Sequence, residues 1–283
     1  MVNDINLDFH VHTLVSCYGN KGFYDRDPPV SVSRLRNIMD AAFEKKISFV
    51  VTDHNTTAAF EALKKNEYKG ERILEKTEYK GMGCVLKCQR KERVSKKEYG
   101  TAEIYVIRGE EISTKQGHVL AVGIENAIRP RMEIADTCRE IKNQQGIAII
   151  AHPYFLNGVG EKNIANLIES NNGLVDGIEL NLRDLKASNE GRISFLAAHY
   201  ELSIFMGSDS HLSEDIGEHG CSLVPEEIFE KGTGRDVIEG IRNLPVIRYC
   251  KKGYRNTVLR EAVRLGHKHA DIFRYYGGLP LRY

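Results

Sequence analysis

Five apolar, strand-like runs of this chain each end in an imidazole or a carboxylate. These residues are His10 and His12 in LDFHVHT, His54 in VVTDH, Glu111 in VIRGEE, His152 in AIIAHP, and Asp209 and His211 in GSDSH. A mixture of imidazole and carboxylate ligands suits Zn, Mn or Fe rather than Ca or Mg alone. A single HxH has little weight, but five such ends together predict a site for several metal ions.

The spacing within two of these motifs explains how they reach a common ion. Alternate residues of a strand point to the same face, so His10 and His12 can bind one metal together. The same period brings Asp209 and His211 together, and Glu111 is placed to bridge two cations. The sequence has no GxSxG elbow, which agrees with chemistry that needs no protein nucleophile.

Seven apolar runs rich in β-branched residues predict the strands that position these residues. They are INLDF, ISFVVT, EIYVIRG, HVLAVGI, GIAIIA, DGIEL and SIFMG. Longer amphipathic stretches separate them, including VSRLRNIMDAAFEKK after Ser31 and MEIADTCREIKNQQG, which Gly146 closes. This alternation predicts an α/β fold of repeated βα units around a parallel sheet. When such a sheet closes into a barrel, functional residues gather at the carboxyl ends of the strands.

Length and composition predict one ordinary soluble domain over residues 1–283. The chain has a net charge of +1, 28% charged and 41% hydrophobic residues, which gives no general reason to expect a nucleic-acid or membrane partner. Its start lacks the pattern of a secretion signal, and no run approaches the roughly 18 apolar residues of a membrane span. We therefore predict a cytoplasmic protein whose six scattered cysteines are free thiols.

Two segments depart from the βα pattern. Residues 58–101 are highly charged and are interpreted as an insertion, a helix followed by a hairpin over the barrel mouth. Residues 231–283 form a basic, helical C-terminal segment, with twelve Lys and Arg against four Asp and Glu. Solvated helix faces are the preferred explanation of this segment, and a phosphorylated ligand nearby or contact with nucleic acid are the alternatives.

The motifs DFHVHT, VVTDHN, GEEIS, GHVLAVG, AHP, GIELN and GSDSH occur in this order between Leu7 and His211. On these motifs the chain resembles the polymerase and histidinol phosphatase (PHP) family of metal-dependent phosphoesterases. The resemblance implies a distorted (β/α)7 barrel of TIM-like form, with two or three divalent ions, zinc, manganese or iron, in its mouth. It also implies a hydrolase that cleaves a phosphomonoester or phosphodiester of a small metabolite, nucleotide or oligonucleotide through a metal-bridging hydroxide.

Carried over to matching positions, the resemblance implies three metal positions. The first takes His10, His12, Glu111 and Asp209, the second takes Glu111, His118 and His152, and the third takes His54, His211 and one further residue. Among these, His10, His12, Glu111, His152, Asp209 and His211 are the expected catalytic residues. Relatives carry His or Asp several positions after HxH, where this chain has Cys17. A Cys17 thiolate ligand, a ligand from Asp25 or Asp27, and a weak or absent third metal are the alternatives.

Other polar residues have less certain roles in this interpretation. Arg183, Lys115 and Lys21 are candidates to bind phosphate oxygens, with Arg183 preferred, although each is also explained as an ordinary exposed charge. Glu179 either contacts metal or orients an imidazole. Asp53 is expected to be structural, because its side chain should point away from that of His54.

Three other functions remain open at this point. A histidinol-phosphate phosphatase would share the whole ligand set. A non-catalytic PHP module associated with nucleic-acid enzymes would have damaged metal ligands, and an amidohydrolase typically has a bridging Lys where Glu111 stands here. The expected partner is a phosphorylated small molecule or nucleotide, with nucleic acid a further possibility and no membrane.

Overall fold

The computed structural model describes residues 3–13, 30–65, 74–78, 83–93, 99–155, 157–171, 173–181, 187–218, 220–230, 232–244 and 248–251. The strands are β1 (Asp4–Val11), β2 (Ser48–Val51), β3 (Leu74–Glu78), β4 (Val85–Arg93), β5 (Tyr99–Ser113), β6 (His118–Val122), β7 (Ile147–Ile150), β8 (Gly177–Asn181), β9 (Ser203–Gly207), β10 (Gly220–Pro225) and β11 (Arg248–Lys251). The helices are α1 (Val32–Lys45), α2 (Ala58–Lys64), α3 (Ile134–Asn143), α4 (Glu161–Ser170), α5 (Ala187–His199), α6 (Glu227–Glu230) and α7 (Gly234–Arg242). In these ranges, no helix combines the length and the apolar composition needed to cross a bilayer.

The sheet curves until its first and last barrel strands meet. Strands β1, β2, β5, β6, β7, β8 and β9 are neighbours in that order. Val11 at the end of β1 forms a parallel bridge with Ser210, just after β9. The His12 N–H donates to the Ser210 carbonyl at 2.9 Å, and the Ser210 N–H donates to the His10 carbonyl at 3.3 Å. The result is a nearly closed, barrel-like sheet.

All seven predicted apolar runs form strands, but one of them runs in the opposite direction. Strand β6 is antiparallel to both β5 and β7, so the prediction of a wholly parallel sheet is wrong there. The reason is the short connection from Ser113 to His118, because a parallel pair needs a crossover of a dozen or more residues. Reversal places the first residue of β6 at the end of the barrel where its neighbours finish.

Helix α1 forms where the sequence predicts it. The Ser31 hydroxyl caps its first turn by accepting from the Arg34 N–H at 3.4 Å. Its buried residues are Leu35, Ile38, Met39, Ala42 and Phe43, as the helical spacing predicts. They pack with β2 in one hydrophobic cluster, which fixes the helix against the sheet beside the end of β1.

The charged segment after β2 contains the predicted helix, α2, and the predicted hairpin of β3 and β4. Strand β4 pairs with β5 from Val85↔Ile107 to Arg93↔Tyr99, which is the first half of β5. Glu111 lies beyond this pairing, and residues 79–82 of the hairpin turn lie outside the described residues, so the position of the hairpin over the barrel mouth stays a prediction. Strand β5 is long, and its first half needs a partner for its backbone groups. Whether residues 58–101 are an insertion stays a prediction.

The C-terminal part of the described chain adds strands that the apolar runs did not predict. Strand β10 is antiparallel to β1, and β11 is antiparallel to β10. Helix α7 begins at a capping box of Thr233 and Asp236, and its Val237 and Ile238 join the core. The rest of the predicted basic segment, residues 252–283, lies outside the described residues.

Candidate metal centre

Glu111 is the residue on which the candidate site converges. It stands near the carboxyl end of β5, and its side chain is only 1% exposed. One carboxylate oxygen, Oε1, lies 2.6 Å from Nδ1 of His118 and 2.8 Å from Nε2 of His152. Nitrogen and oxygen ligands at about 2.0 to 2.2 Å from a tetrahedral cation are themselves about 3.4 Å apart. These three donor atoms are therefore close enough for one ion after a small outward shift.

The second oxygen of Glu111 faces a different group of nitrogens. Oε2 lies 3.2 Å from Nε2 of both His10 and His12, and Oδ1 of Asp209 lies 3.1 Å from Nε2 of His12. The two Nε2 atoms are 3.1 Å apart. When each ring offers its Nε2 lone pair, one cation can bind both atoms. The donor set fits a divalent ion at this position.

His54 and His211 extend the cluster on the other side of His12. The His12 ring lies 4.6 Å from the His54 ring and 4.3 Å from the His211 ring, between centroids. Nδ1 of His54 also lies 3.0 Å from Oε2 of Glu111. That oxygen is buried and makes no well-aligned hydrogen bond in the described part of the chain. A carboxylate oxygen surrounded by nitrogens but not hydrogen-bonded to them is suited to share a cation with them.

The described residues contain four three-residue groups whose ligand atoms all lie within 4.8 Å of one another. They are His10, Glu111 and His152; His10, His12 and Asp209; His54, Glu111 and His118; and His12, His54 and His211. Every predicted ligand that the structure describes belongs to at least one of these groups. The ninth predicted ligand, Cys17, lies outside the described residues. These groups could hold metal ions, and their imidazole and carboxylate chemistry suits Zn, Mn or Fe.

The backbone is strained at residues of this site. His152 has φ 22° and Asp209 has φ 49°, and neither is a glycine. Such conformations cost about 1 to 3 kcal/mol each and are held by the surrounding structure, often at functional sites. Each residue follows a barrel strand closely, and these turns bring His152 to Glu111 and Asp209 to His12.

Burial and the neighbouring charges act in opposite directions on the ionisation of the cluster. Burial alone would lower the pKa of His10, but Glu179 and Glu111 outweigh it and raise that pKa well above its usual value. Burial alone would raise the pKa of Glu111, but the imidazoles of His54, His118 and His10 hold it well below its usual range. For His54 burial prevails over Glu111, and the pKa falls to about 4. An ionised carboxylate beside a neutral imidazole is the state in which both can bind metal.

Comparison with known proteins establishes a family without assigning an activity. No protein-family model matches the chain. An uncharacterized protein of Methanocaldococcus jannaschii is 30% identical over 151 residues, which are 53% of this chain and 68% of the archaeal protein. The chain belongs to the same family as this archaeal protein.

Solved structures with a similar fold are much more distant in sequence. PsfC from Pseudomonas syringae matches with a TM-score of 0.58 and 16% identity, over 89% of this chain and 93% of PsfC. A Bifidobacterium adolescentis protein described as a candidate metal-dependent phosphoesterase gives a TM-score of 0.46 and 14% identity, over 74% of this chain and 88% of that protein. The likeness to PsfC concerns the fold alone, and the second match is too weak to bear on activity.

Asp8 supports the site and was missed by the sequence interpretation. Its carboxylate accepts from the backbone N–H groups of His10 at 3.1 Å, Ser208 at 2.9 Å and Gly217 at 2.9 Å. Burial raises the pKa of this carboxyl, although these hydrogen bonds oppose the rise. Asp8 thus fastens β1 to the turn that carries Asp209. The signal in the sequence was its position, two residues before His10 and on the same face of the strand.

Asp53 has the structural role that the sequence predicts. One oxygen accepts from the Thr13 N–H at 2.7 Å, and the other accepts from the Thr13 hydroxyl at 2.6 Å. These bonds join the ends of β1 and β2, next to His12 and His54. Asp53 therefore holds the two neighbouring strand ends in register.

The predicted phosphate-binding residues are less well supported. The ammonium of Lys115 lies 2.6 Å from a Glu133 carboxylate, and its side chain is 58% exposed. Its charge is already matched by a neighbour, which weakens the case for a phosphate contact. Lys21 and Arg183 lie outside the described residues.

Proposed function

We propose that this protein is a metal-dependent hydrolase that cleaves a phosphoester. The observation that carries the proposal is that the two carboxylate oxygens of Glu111 face different groups of nitrogens. Its Oε1 faces His118 and His152, whereas its Oε2 faces His10 and His12. One buried carboxylate with a separate set of nitrogens on each oxygen is suited to lie between two cations, and paired cations suit in-line displacement at phosphorus.

The residues that would hold the metals follow from these contacts. His10, His12 and Asp209 would bind one ion with Glu111, and His118 and His152 would bind the other. His54 and His211, beside His12, are placed for a third. When bound, divalent ions lower the pKa of coordinated water and offset negative charge on phosphoryl oxygens.

The protein's own contribution is to fix these donors before substrate arrives. Nδ1 of His211 lies 3.0 Å from the Asp209 carbonyl, which can only accept a hydrogen bond. Nδ1 therefore carries the proton, and Nε2 presents its lone pair. The strand ends, the turn at Asp209 and the hydrogen bonds to Asp8 hold the ligand side chains close together, which lowers the cost of assembling the site.

The proposal covers phosphomonoesters and phosphodiesters of small metabolites, nucleotides or oligonucleotides. An amidohydrolase would share a barrel with histidine and aspartate ligands. The carboxylate of Glu111 between the two groups of nitrogens favours the phosphoesterase.

The test is hydrolysis of a broad panel by metal-loaded protein. Protein stripped with a chelator and reloaded with Zn, Mn or Fe would be given p-nitrophenyl phosphate, bis-p-nitrophenyl phosphate, nucleotides, short oligonucleotides and N-acyl amino acids. We expect release of phosphate, nucleotide or p-nitrophenol that the chelator abolishes. Turnover of the N-acyl compounds alone, or of nothing in any metal state, would contradict the proposal.

A further inference from the structure

We propose that Glu179 is a positioning residue that couples the two main metal positions, because it holds one ligand of each. This inference rests on the proposed metal centre. Glu179 lies in the middle of β8, its side chain is fully buried, and it belongs to none of the four candidate ligand groups. Its two oxygens contact His10 on one side and His152 on the other.

The contact with His10 sets which ring nitrogen is free. Oε1 of Glu179 lies 2.9 Å from Nδ1 of His10, and both side chains are fully buried. An ionised carboxylate only accepts hydrogen bonds, so Nδ1 must carry the proton. In the neutral ring that binds a metal, the lone pair is then on Nε2, the atom that faces Glu111 and Asp209. Carboxylates behind metal-binding imidazoles characteristically fix tautomer and ring orientation in this way.

The contact with His152 acts on the backbone. Oε2 of Glu179 accepts from the His152 N–H at 2.6 Å. His152 is also the residue with the strained φ of 22°. The hydrogen bond therefore holds the turn that points Nε2 of His152 at Oε1 of Glu111, 2.8 Å away.

The neighbouring residues Asn181 and Gly207 fix the position of the Glu179 carboxylate. The Asn181 amide donates to Oε1 at 3.1 Å from the same face of β8. A Cβ added to Gly207 would lie 2.2 Å from Oε1 of Glu179 and 2.6 Å from Cβ of His10. Because Gly207 has no Cβ, nothing at this position displaces the Glu179 carboxylate from His10.

Counting donors shows why a carboxylate is needed. Three donors approach Glu179, from His10, His152 and Asn181, and each of its two oxygens accepts at least one of them. A glutamine has one acceptor oxygen and places an NH2 group at the other position. In either orientation it would lose the contact to His10 or the contact to His152. Both proposed positions share Glu111, so displacement of a ligand at one position should weaken binding at both.

The test is zinc affinity, measured by competition with a chromophoric chelator, in wild type and Glu179→Gln. We expect two zinc equivalents in wild type, both weakened in the variant by roughly 10- to 100-fold. Asp209→Ala and His118→Ala serve as references in which one position is damaged directly. Nitrogen NMR at saturating zinc provides a second readout, because His10 should bind through Nε2 with Nδ1 protonated in wild type, and this state should be lost or mixed in Glu179→Gln.

Glu110→Gln is the matched control. Glu110 is also a fully buried glutamate, but its Oε2 accepts from the Ile128 N–H at 2.9 Å and it belongs to none of the ligand groups. The Glu110→Gln variant should be less stable than wild type but keep wild-type zinc affinity. If Glu179→Gln fails to fold, Glu179→Asp takes its place, because it keeps the charge but is too short to reach both partners.

The outcomes separate this inference from the proposed function. Wild-type zinc affinity in the Glu179 variant would overturn the inference, and weakening of only one equivalent would overturn the coupling. A wild-type protein that binds two zinc ions but hydrolyses no phosphoester would refute the proposed function alone. A wild-type protein that binds no zinc, manganese or iron would overturn both.

Discussion

The two ends of β5 carry carboxylates whose ionisation is shifted in the same direction for different reasons. In the first half, Glu103 accepts hydrogen bonds from Lys87, Gln89 and Tyr105 at the protein surface, and these outweigh the opposing effect of burial to lower its pKa. At the other end, Glu111 is buried, and imidazoles outweigh burial to lower its pKa much further. A lowered pKa therefore does not identify a functional site by itself. The partners do, because an ammonium cannot bind a cation and a neutral imidazole can.

The largest effect should come from removing the charge at the buried end. Glu111→Gln takes away the only carboxylate shared by both predicted metal positions, so we expect loss of both metals. Metal affinity and any hydrolysis should fall by more than about 100-fold. This factor is the upper end of the loss seen when a residue that only hydrogen-bonds to a metal ligand is replaced. Metal analysis of purified protein and the phosphoester assay measure this. If Glu111→Gln still bound two metal equivalents, the buried carboxylate of β5 would not differ from the surface carboxylate in metal binding.

Asp8 separates the effect of burial from that of metal binding. It is as buried as Glu111, but its described partners include three backbone N–H groups. Asp8→Asn cannot accept from all of them, so we expect a loss of roughly 1 to 3 kcal/mol in the free energy of unfolding of the metal-free protein. Urea unfolding measures this loss. An unchanged midpoint would show that these bonds do not hold the turn of Asp209.

Glu103→Gln should have a small, pH-dependent effect. Its partners are partly exposed, so the loss at pH 7 should be about 0.2 to 1 kcal/mol, and less at high salt. A carboxyl whose folded pKa is lowered stabilises the protein above its unfolded pKa, and this contribution disappears as the pH falls through the folded value. The difference between wild type and variant in urea unfolding should therefore shrink from pH 7 toward pH 4. Metal content should not change, and a change would mean that the two ends of β5 are coupled.

The smallest effect should come from Lys115, which lies just beyond β5. Because Glu133 already pairs with its ammonium, Lys115→Ala should change kcat/KM for any substrate found by no more than about fivefold, equivalent to about 1 kcal/mol. Steady-state kinetics at two ionic strengths measure this. A much larger loss would restore Lys115 as a phosphate-binding residue.

The sequence predicted the strands and the convergence of their ends because both depend on local pattern. Period-two spacing placed His10 with His12, and apolar runs of strand length placed the histidines at strand ends. The direction of β6 was less apparent, although the short gap between Ser113 and His118 contained the signal. With a parallel β6, His118 would have been at the wrong end of the barrel.

Partnerships across the barrel could not be predicted in the same way. The sequence offered an imidazole-orienting role for Glu179, but the imidazole that it contacts, His10, is far away in the chain and nothing local marks the pair. The pairing of β10 with β1 and the anchoring of Gly217 by Asp8 are of the same kind. They follow from packing of the whole chain, whereas the ligand motifs follow from a few neighbouring residues.

The place where the sheet closes has a consequence for folding. Strands β1 and β9 meet through the single bridge of Val11 and Ser210, and His10, His12 and Asp209 stand on either side of it. An ion held by these residues would join distant parts of the chain, so it would bind the closed sheet and not the unfolded chain. The free energy of unfolding would therefore increase with the supply of metal.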